Sequence, residues 1–190
     1  MSKKSKRVRI IIFRVRRGQI AQIMTPEDYV KSAKREKDVR NEIQKLSNGK
    51  LKVEFTGYGA GSDKKFKHRK PYDPNKPNPL DLLVNENIVI EVMGSDRWNF
   101  GPSKHFPVAM DKVDRSKGKL VYFVFVLDNE SQPNMWWIKA EDCEDQPKEY
   151  EADTKYGPQN IYKTDKYLWH RGLQSLVDEL LKRVNFKLNP

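Results

Sequence analysis

The sequence predicts an α/β domain, with a mixed central β-sheet flanked by helices. Three observations lead there. The strongest apolar runs are short and strand-like, above all Leu120 to Leu127. Segments carrying helix start and stop signals separate them. Read along the chain, the order is helix, strand, hairpin, helix, strand, strand, helix, and elements mixed in this way build a sheet with helices packed on it. The 190 residues are enough to bury roughly two-thirds of the unfolded surface in one domain. We read residues 1–190 as that single domain.

Each element has its own signal. Residues 8–14 read as a strand, and Gln19 to Met24 as its partner after an Arg17-Gly18 turn. Thr25-Pro26-Glu27-Asp28 starts a helix: Thr can cap, Pro fits the first helical position, and acids favour the first turn. This helix runs to about Ser47 and stops before Gly49. Leu51 to Thr56 is a strand leading into Gly57-Tyr58-Gly59-Ala60-Gly61-Ser62-Asp63 and a basic, Pro-rich loop that lasts to Pro79. Leu80 to Val84 and Ile88 to Met93 flank Asn85-Glu86-Asn87 and form a hairpin. Residues 103–115 read as a second helix, with Pro107 near its first turn. Leu120 to Leu127 and Met135 to Lys139 are strands, and 140–163 is irregular or short helix. Lys166 to Val184 closes the chain as a helix, with Trp169, Leu173, Leu176, Leu180 and Val184 on one stripe.

Composition excludes several classes. Hydrophobic residues make up 37% and aromatics 11%, too many for a wholly disordered chain. No apolar run approaches the ~20 residues of a membrane span. The basic start lacks the apolar region of a signal peptide. The single Cys143 excludes an internal disulfide and a cysteine-based zinc finger. His68, His105 and His170 form no paired zinc motif. No GK[ST] follows the glycines at 57–61, which disfavours an NTPase. The expectation is a soluble intracellular protein of the cytoplasm, or of the host cytoplasm if viral.

Charge adds a partner. Lys and Arg number 37 against 26 Asp and Glu, a net charge of +11, which points to a polyanion, nucleic acid first. The excess is segregated. Residues 1–17 hold eight basic residues and no acid, ending with Arg14, Arg16 and Arg17. A second acid-free cluster contains Lys64, Lys65, Lys67, Arg69 and Lys70. These two segments are the candidate phosphate contacts. The acids concentrate at 141–153. In Trp136-Trp137, strand alternation sends one ring in and the other out, and the outward ring either packs under a covering element or stacks on a base.

Three carboxylates occupy positions that call for a reason. On the first helix, at about 100° per residue, Tyr29, Val39, Ile43 and Leu46 share a face and Glu36 falls in its middle. A carboxylate there is costly unless paired, protonated or metal-bound. In the hairpin, Glu91 interrupts Ile88-Val89-Ile90-Glu91-Val92-Met93, a strand that otherwise reads as buried on both faces. Asp81 opens the partner strand, and a turn at 85–87 brings it to the same end as Glu91. Two carboxylates converging there repel, and a hard divalent cation relieves this. Mg²⁺ accepts one or two carboxylates and suits phosphate chemistry.

Pro79-x-Asp81 followed by Glu91-x-Met93-Gly94 resembles the core motif of the PD-(D/E)XK nuclease superfamily, whose restriction-endonuclease-like core has the same element order. Gly59-Ala60-Gly61-Ser62-Asp63 resembles the Gly-Ser segment of the archaeal Holliday junction resolvases within it, and Glu36 lies where that family keeps its first-helix glutamate. The resemblance covers residues 26–138, with the basic 1–24 region and a 64–78 insertion outside it. Diverged members occur among proteins of archaeal viruses. The resemblance implies a Mg²⁺-dependent endodeoxyribonuclease, with Mn²⁺ as substitute, leaving a 5′-phosphate. It implies that Asp81, Glu91 and the Val92 carbonyl hold the ion, that Glu36 binds it or its water, and that Ser62 contacts the phosphodiester. It implies branched or duplex DNA as substrate, and a homodimer or higher even oligomer matching the symmetry of a junction.

The motif's lysine is Met93 here, and a thioether neither orients a nucleophile nor stabilises charge. Lys104 and Lys112 on the expected second helix are candidate replacements, and Lys119 a weaker one. A different reading stays open: a non-catalytic DNA-binding protein on a degenerate nuclease scaffold. A third is an RNA-directed nuclease.

Overall fold

A computed structural model describes residues 26–57, 80–95, 105–128, 134–152 and 158–188. The expected strands at 8–14 and 19–24, the Thr25 cap and the loop to Pro79 lie outside the described residues.

Helix α1 spans Pro26–Leu46. It ends where Asn48 and Gly49 take positive φ of 50° and 74°, and the Gly49 amide donates to the Gln44 carbonyl at 2.9 Å, closing the last turn. Strands β1 (Val53–Phe55), β2 (Leu82–Val84) and β3 (Ile88–Ser95) follow as an antiparallel meander. Asn85 binds the hairpin turn to β1. Its amide donates to the Lys52 carbonyl at 2.9 Å, and its side-chain oxygen accepts from the Lys52 amide at 2.7 Å.

The chain continues through β4 (His105–Ala109), α2 (Met110–Ser116), β5 (Leu120–Leu127), β6 (Asn134–Lys139), β7 (Lys148–Ala152), β8 (Gln159–Asp165), β9 (His170–Arg171) and α3 (Gln174–Leu188). The described strands form two sheets, a six-stranded one in the order β1-β2-β3-β5-β6-β9 and a three-stranded one in the order β4-β8-β7. Only β3 and β5 pair in parallel; every other described pairing is antiparallel.

The large sheet is covered on both faces. Ile90, Val92, Tyr122 and Val124 pack with Val39 and Ile43 of α1 and Leu176 and Leu180 of α3. On the other face Phe123, Phe125 and Ile138 pack with Val113 of α2 and with Phe106, Val108 and Tyr162 of the small sheet. Burial on both faces explains why β5 is a continuous apolar run rather than an alternating one. The tryptophans divide as strand alternation requires: Trp137 is buried on the helical face, and Trp136 is half-buried on the other.

Three expectations need correction. Residues 103–115 are not one helix, because 105–109 is a strand and only 110–116 is helical. Phe106 and Val108 are both fully buried on alternate positions, and Pro107, which has no amide to give, sits on an edge strand. Among the described residues of 140–163, strand β7 and most of β8 follow a 3-10 turn at Glu141–Cys143. The acids of β7 disguised it, since Lys148–Ala152 is an edge with an irregular register and Glu151 at φ 53°. Finally, α3 starts at Gln174, not Lys166. A 3-10 turn at Lys166–Leu168 and the β9 pairing precede it, and Gly172 breaks the chain at φ 79°. Trp169 therefore leaves the helical stripe. It packs on Phe106 across the sheet, 4.6 Å between centroids, and its indole N–H donates to Thr164 Oγ1 at 2.8 Å.

Candidate nuclease site

The β2–β3 register pairs Leu82 with Ile90, so Asp81, one step before β2, lies opposite Glu91. The backbone of Asp81 is held from the other side, where its carbonyl accepts from the Thr56 amide at 2.9 Å and the Gly57 amide at 3.2 Å. Its carboxylate Oδ2 accepts from the Val92 amide at 2.9 Å. Its Oδ1 lies beside Gly57, where an added Cβ would come within 3.0 Å of that oxygen. Gly57 thus sets no side chain against the second oxygen of Asp81.

Glu91 is buried, 5% exposed, on the sheet face that α2 covers. Lys112 of α2 donates its Nζ to Glu91 Oε1 in an ion pair. Glu36 is buried on α1, 3% exposed, in the stripe that includes Val39 and Ile43. Burial pushes the Asp81 carboxyl well above the ordinary carboxylate range. The charges of Glu91 and then Glu36 push the same way, against Lys112 and the Val92 amide. Burial pulls the Lys112 ammonium down, but Glu91 and Asp81 outweigh it and hold it above the ordinary lysine value. Asp81 is therefore coupled to Glu91, Glu36 and Lys112, and Lys112 to Glu91 and Asp81.

This donor set fits a two-carboxylate cation site rather than a fully protein-ligated one. Among the described residues no group of three or more His, Cys, Asp or Glu could hold a metal. The paired carboxylates Asp81 and Glu91, with no side chain at Gly57 against Asp81 Oδ1, suit a small hydrated divalent ion, which keeps most of its waters.

Other expected site residues fall elsewhere. Ser62, Lys104, Arg14, Arg16, Arg17, Lys64, Lys65, Lys67, Arg69 and Lys70 lie outside the described residues. Lys119 is exposed in the turn before β5. Phe123 is the β5 neighbour of Glu91, so Lys119 sits about 13 Å down the strand from that level. Met93 is half-buried against the α2-side core.

A second arrangement beside the site was not legible as function. Arg35, adjacent to Glu36 on α1, donates its Nε to Asp128 Oδ2 at 2.6 Å just after β5. Its side chain passes over Gly94, where a Cβ would come within 2.5 Å of Arg35 Cδ and 2.7 Å of the Val126 carbonyl. The glycine after the Glu91-x-Met93 motif was the available signal for this close approach.

No protein-family model matches the chain, and no curated protein sequence matches it. Among solved structures it is similar to Hjc, a Holliday junction resolvase from the archaeal hyperthermophile Archaeoglobus fulgidus. The TM-score is 0.44 and the identity 14%, over 76% of this chain and 98% of that one. Likeness at that level assigns no role to any side chain. No described helix is long and apolar enough to cross a membrane.

Proposed function

We propose that the protein is a metal-dependent endonuclease that hydrolyses DNA phosphodiester bonds, with branched DNA of the Holliday junction type as its substrate. The observation that carries this reading is the convergence of Asp81, Glu91 and Lys112, with the charge of Glu36 felt at Asp81. Asp81 and Glu91 would hold Mg²⁺, or Mn²⁺ in its place, with Glu36 nearby on α1. Such an ion polarises a phosphate and lowers the pKa of an attacking water.

The chain's own groups do the rest. The Val92 amide fixes one oxygen of Asp81 and leaves the other beside Gly57, which has no side chain to set against it. Lys112 takes the part of the cation that Met93 cannot, because an ammonium beside Glu91 can orient a water and stabilise charge on a phosphate oxygen. The net charge of +11 supplies affinity for the polyanion. A homodimer with two such sites would cut both strands of a junction.

The test is cleavage of labelled four-way-junction, duplex and single-stranded DNA, with duplex RNA as competitor, in Mg²⁺ or Mn²⁺. Asp81→Asn and Glu91→Gln run beside the parent chain. Cutting by the parent alone supports the reading, and preference for the junction supports the resolvase assignment. Binding without cutting in every ion would favour a DNA-binding protein on a nuclease scaffold.

A further inference from the structure

We infer that the β9 edge of the large sheet is a second nucleic-acid contact, where Lys166 and Arg171 take phosphates of an unpaired strand and Tyr167 stacks on one of its bases. The identity of the polymer rests on the nuclease reading above.

The edge is built around one indole. Trp136 is half-buried, so its ring is a platform rather than a free stacking surface. Lys166 Nζ lies 5.5 Å and Arg171 Cζ 5.8 Å from its centroid. Attraction to the ring face holds each cation. Both cations are thus carried at this edge on one ring, and each attracts an anion there.

Beside them stands a ring of the opposite kind. Tyr167 is 86% exposed, and Leu168 next to it is 38% exposed. A solvent-facing aromatic next to paired cations is the combination that binds single strands, because every unpaired base offers a π-face while the backbone offers phosphates. In a duplex the base faces are covered, so Tyr167 favours an unpaired segment. The acid at this edge, Asp165, accepts from the Tyr167 amide at 2.9 Å. It thereby caps the 3-10 turn and fixes the backbone that carries the ring. Among the described residues, Leu168 and one tyrosine ring make too small an apolar patch at this edge for a stable protein interface.

The edge belongs to the same sheet as the carboxylates. Met93, Phe125, Trp136 and Arg171 are successive partners across β3, β5, β6 and β9. Three strand spacings put Arg171 about 14 Å from Met93, which itself lies two residues along β3 from Glu91.

The test measures binding of the full chain in EDTA to single-stranded and four-way-junction DNA over a salt series. Cleavage in Mg²⁺ and Mn²⁺ is scored separately. Lys166→Gln with Arg171→Gln is expected to weaken single-strand binding at least ten-fold and to flatten the salt slope by roughly 1.4. Tyr167→Ala should weaken it about five-fold or more with the slope unchanged. Lys166→Arg should bind like the parent, which separates charge from folding. Unchanged affinity and slope in the double variant would overturn the proposal, as would a parent chain that binds no nucleic acid. So would a change in oligomeric state with unchanged DNA affinity, which would make the edge a protein interface. A parent that binds through this edge but never cuts would instead defeat the nuclease reading and leave the contact standing.

Discussion

Lys112 of α2 and Glu91 of β3 form an ion pair on the face of the large sheet where Met93, two residues further along β3, offers only a thioether. Both partners are largely withdrawn from water, with side-chain exposures of 27% and 7%. Pairing two desolvated charges is weak evidence for stability in itself, which makes a functional reason for keeping it more attractive. A cation delivered from the helix has the same chemistry as one delivered from the strand.

Replacing that cation should therefore remove activity. Lys112→Met is expected to lower single-turnover DNA cleavage by about 10²–10³-fold, the cost of losing one group that stabilises developing charge. Adding Met93→Lys in the same chain should recover part of the loss, since the new ammonium starts on the same face as Glu91. Cleavage by Lys112→Met at the parent rate would show that the pair is structural only.

Asp81 should cost stability in the absence of metal. Its folded pKa is raised well above the ordinary value, mainly by burial and then by Glu91 and Glu36. The native state thus holds this proton more tightly than the unfolded chain does, and stability falls as pH rises from the ordinary carboxylate range through the raised value. In EDTA at neutral pH, Asp81→Asn should be more stable than the parent and melt at a higher temperature, because the parent must ionise a carboxyl that the fold prefers to keep protonated. The two should converge below the ordinary carboxylate range. Added Mg²⁺ or Mn²⁺ should raise the melting temperature of the parent and not of Asp81→Asn. A parent that is more stable than the variant in EDTA at neutral pH would contradict this.

Gly94→Ala tests the passage of Arg35 over β3. The new Cβ would meet Arg35 Cδ and Nε at 2.5 and 2.6 Å and the Val126 carbonyl at 2.7 Å. The side chain can move aside and the carbonyl cannot, so a loss of about 1–3 kcal/mol is expected in urea unfolding. Asp128→Asn, which keeps the space and weakens the ion pair, should cost less.

Cys143 should be inert. It is fully buried, and burial, with Asp142 and Glu144 adding, pushes its thiol up to about 12. A disulfide reagent at pH 8 should label the native chain far more slowly than the denatured one. Equal rates would mean that the 3-10 turn at Glu141–Cys143 opens readily.

Much of this was legible locally. Helix α1 closes at Gly49 because glycine supplies the positive φ. The β2–β3 hairpin follows from two apolar runs around Asn85-Glu86-Asn87, and its register alone sets Asp81 against Glu91. The odd carboxylates, Glu36 in a helical stripe and Glu91 inside a buried strand, were visible as violations of pattern. The small sheet was hidden for the converse reason. Its edge strands have exposed, charged or proline-bearing positions, and only pairing makes 148–152 and 105–109 strands. The early start expected for α3 failed because Trp169 fits a helical stripe by spacing, whereas its indole N–H finds Thr164 on the other side of the sheet.

Sequence by itself determined which residues are chemically out of place: three carboxylates in apolar settings, a methionine in the motif's lysine position, and an excess of positive charge. Those are properties of spacing and side-chain type, which survive without knowledge of the fold. The tertiary structure decided which cation meets Glu91, which amide binds Asp81, and which ring gathers Lys166 and Arg171. Each depends on residues distant in the chain being brought within a few ångströms by sheet pairing and helix packing, and no local pattern encodes such a distance.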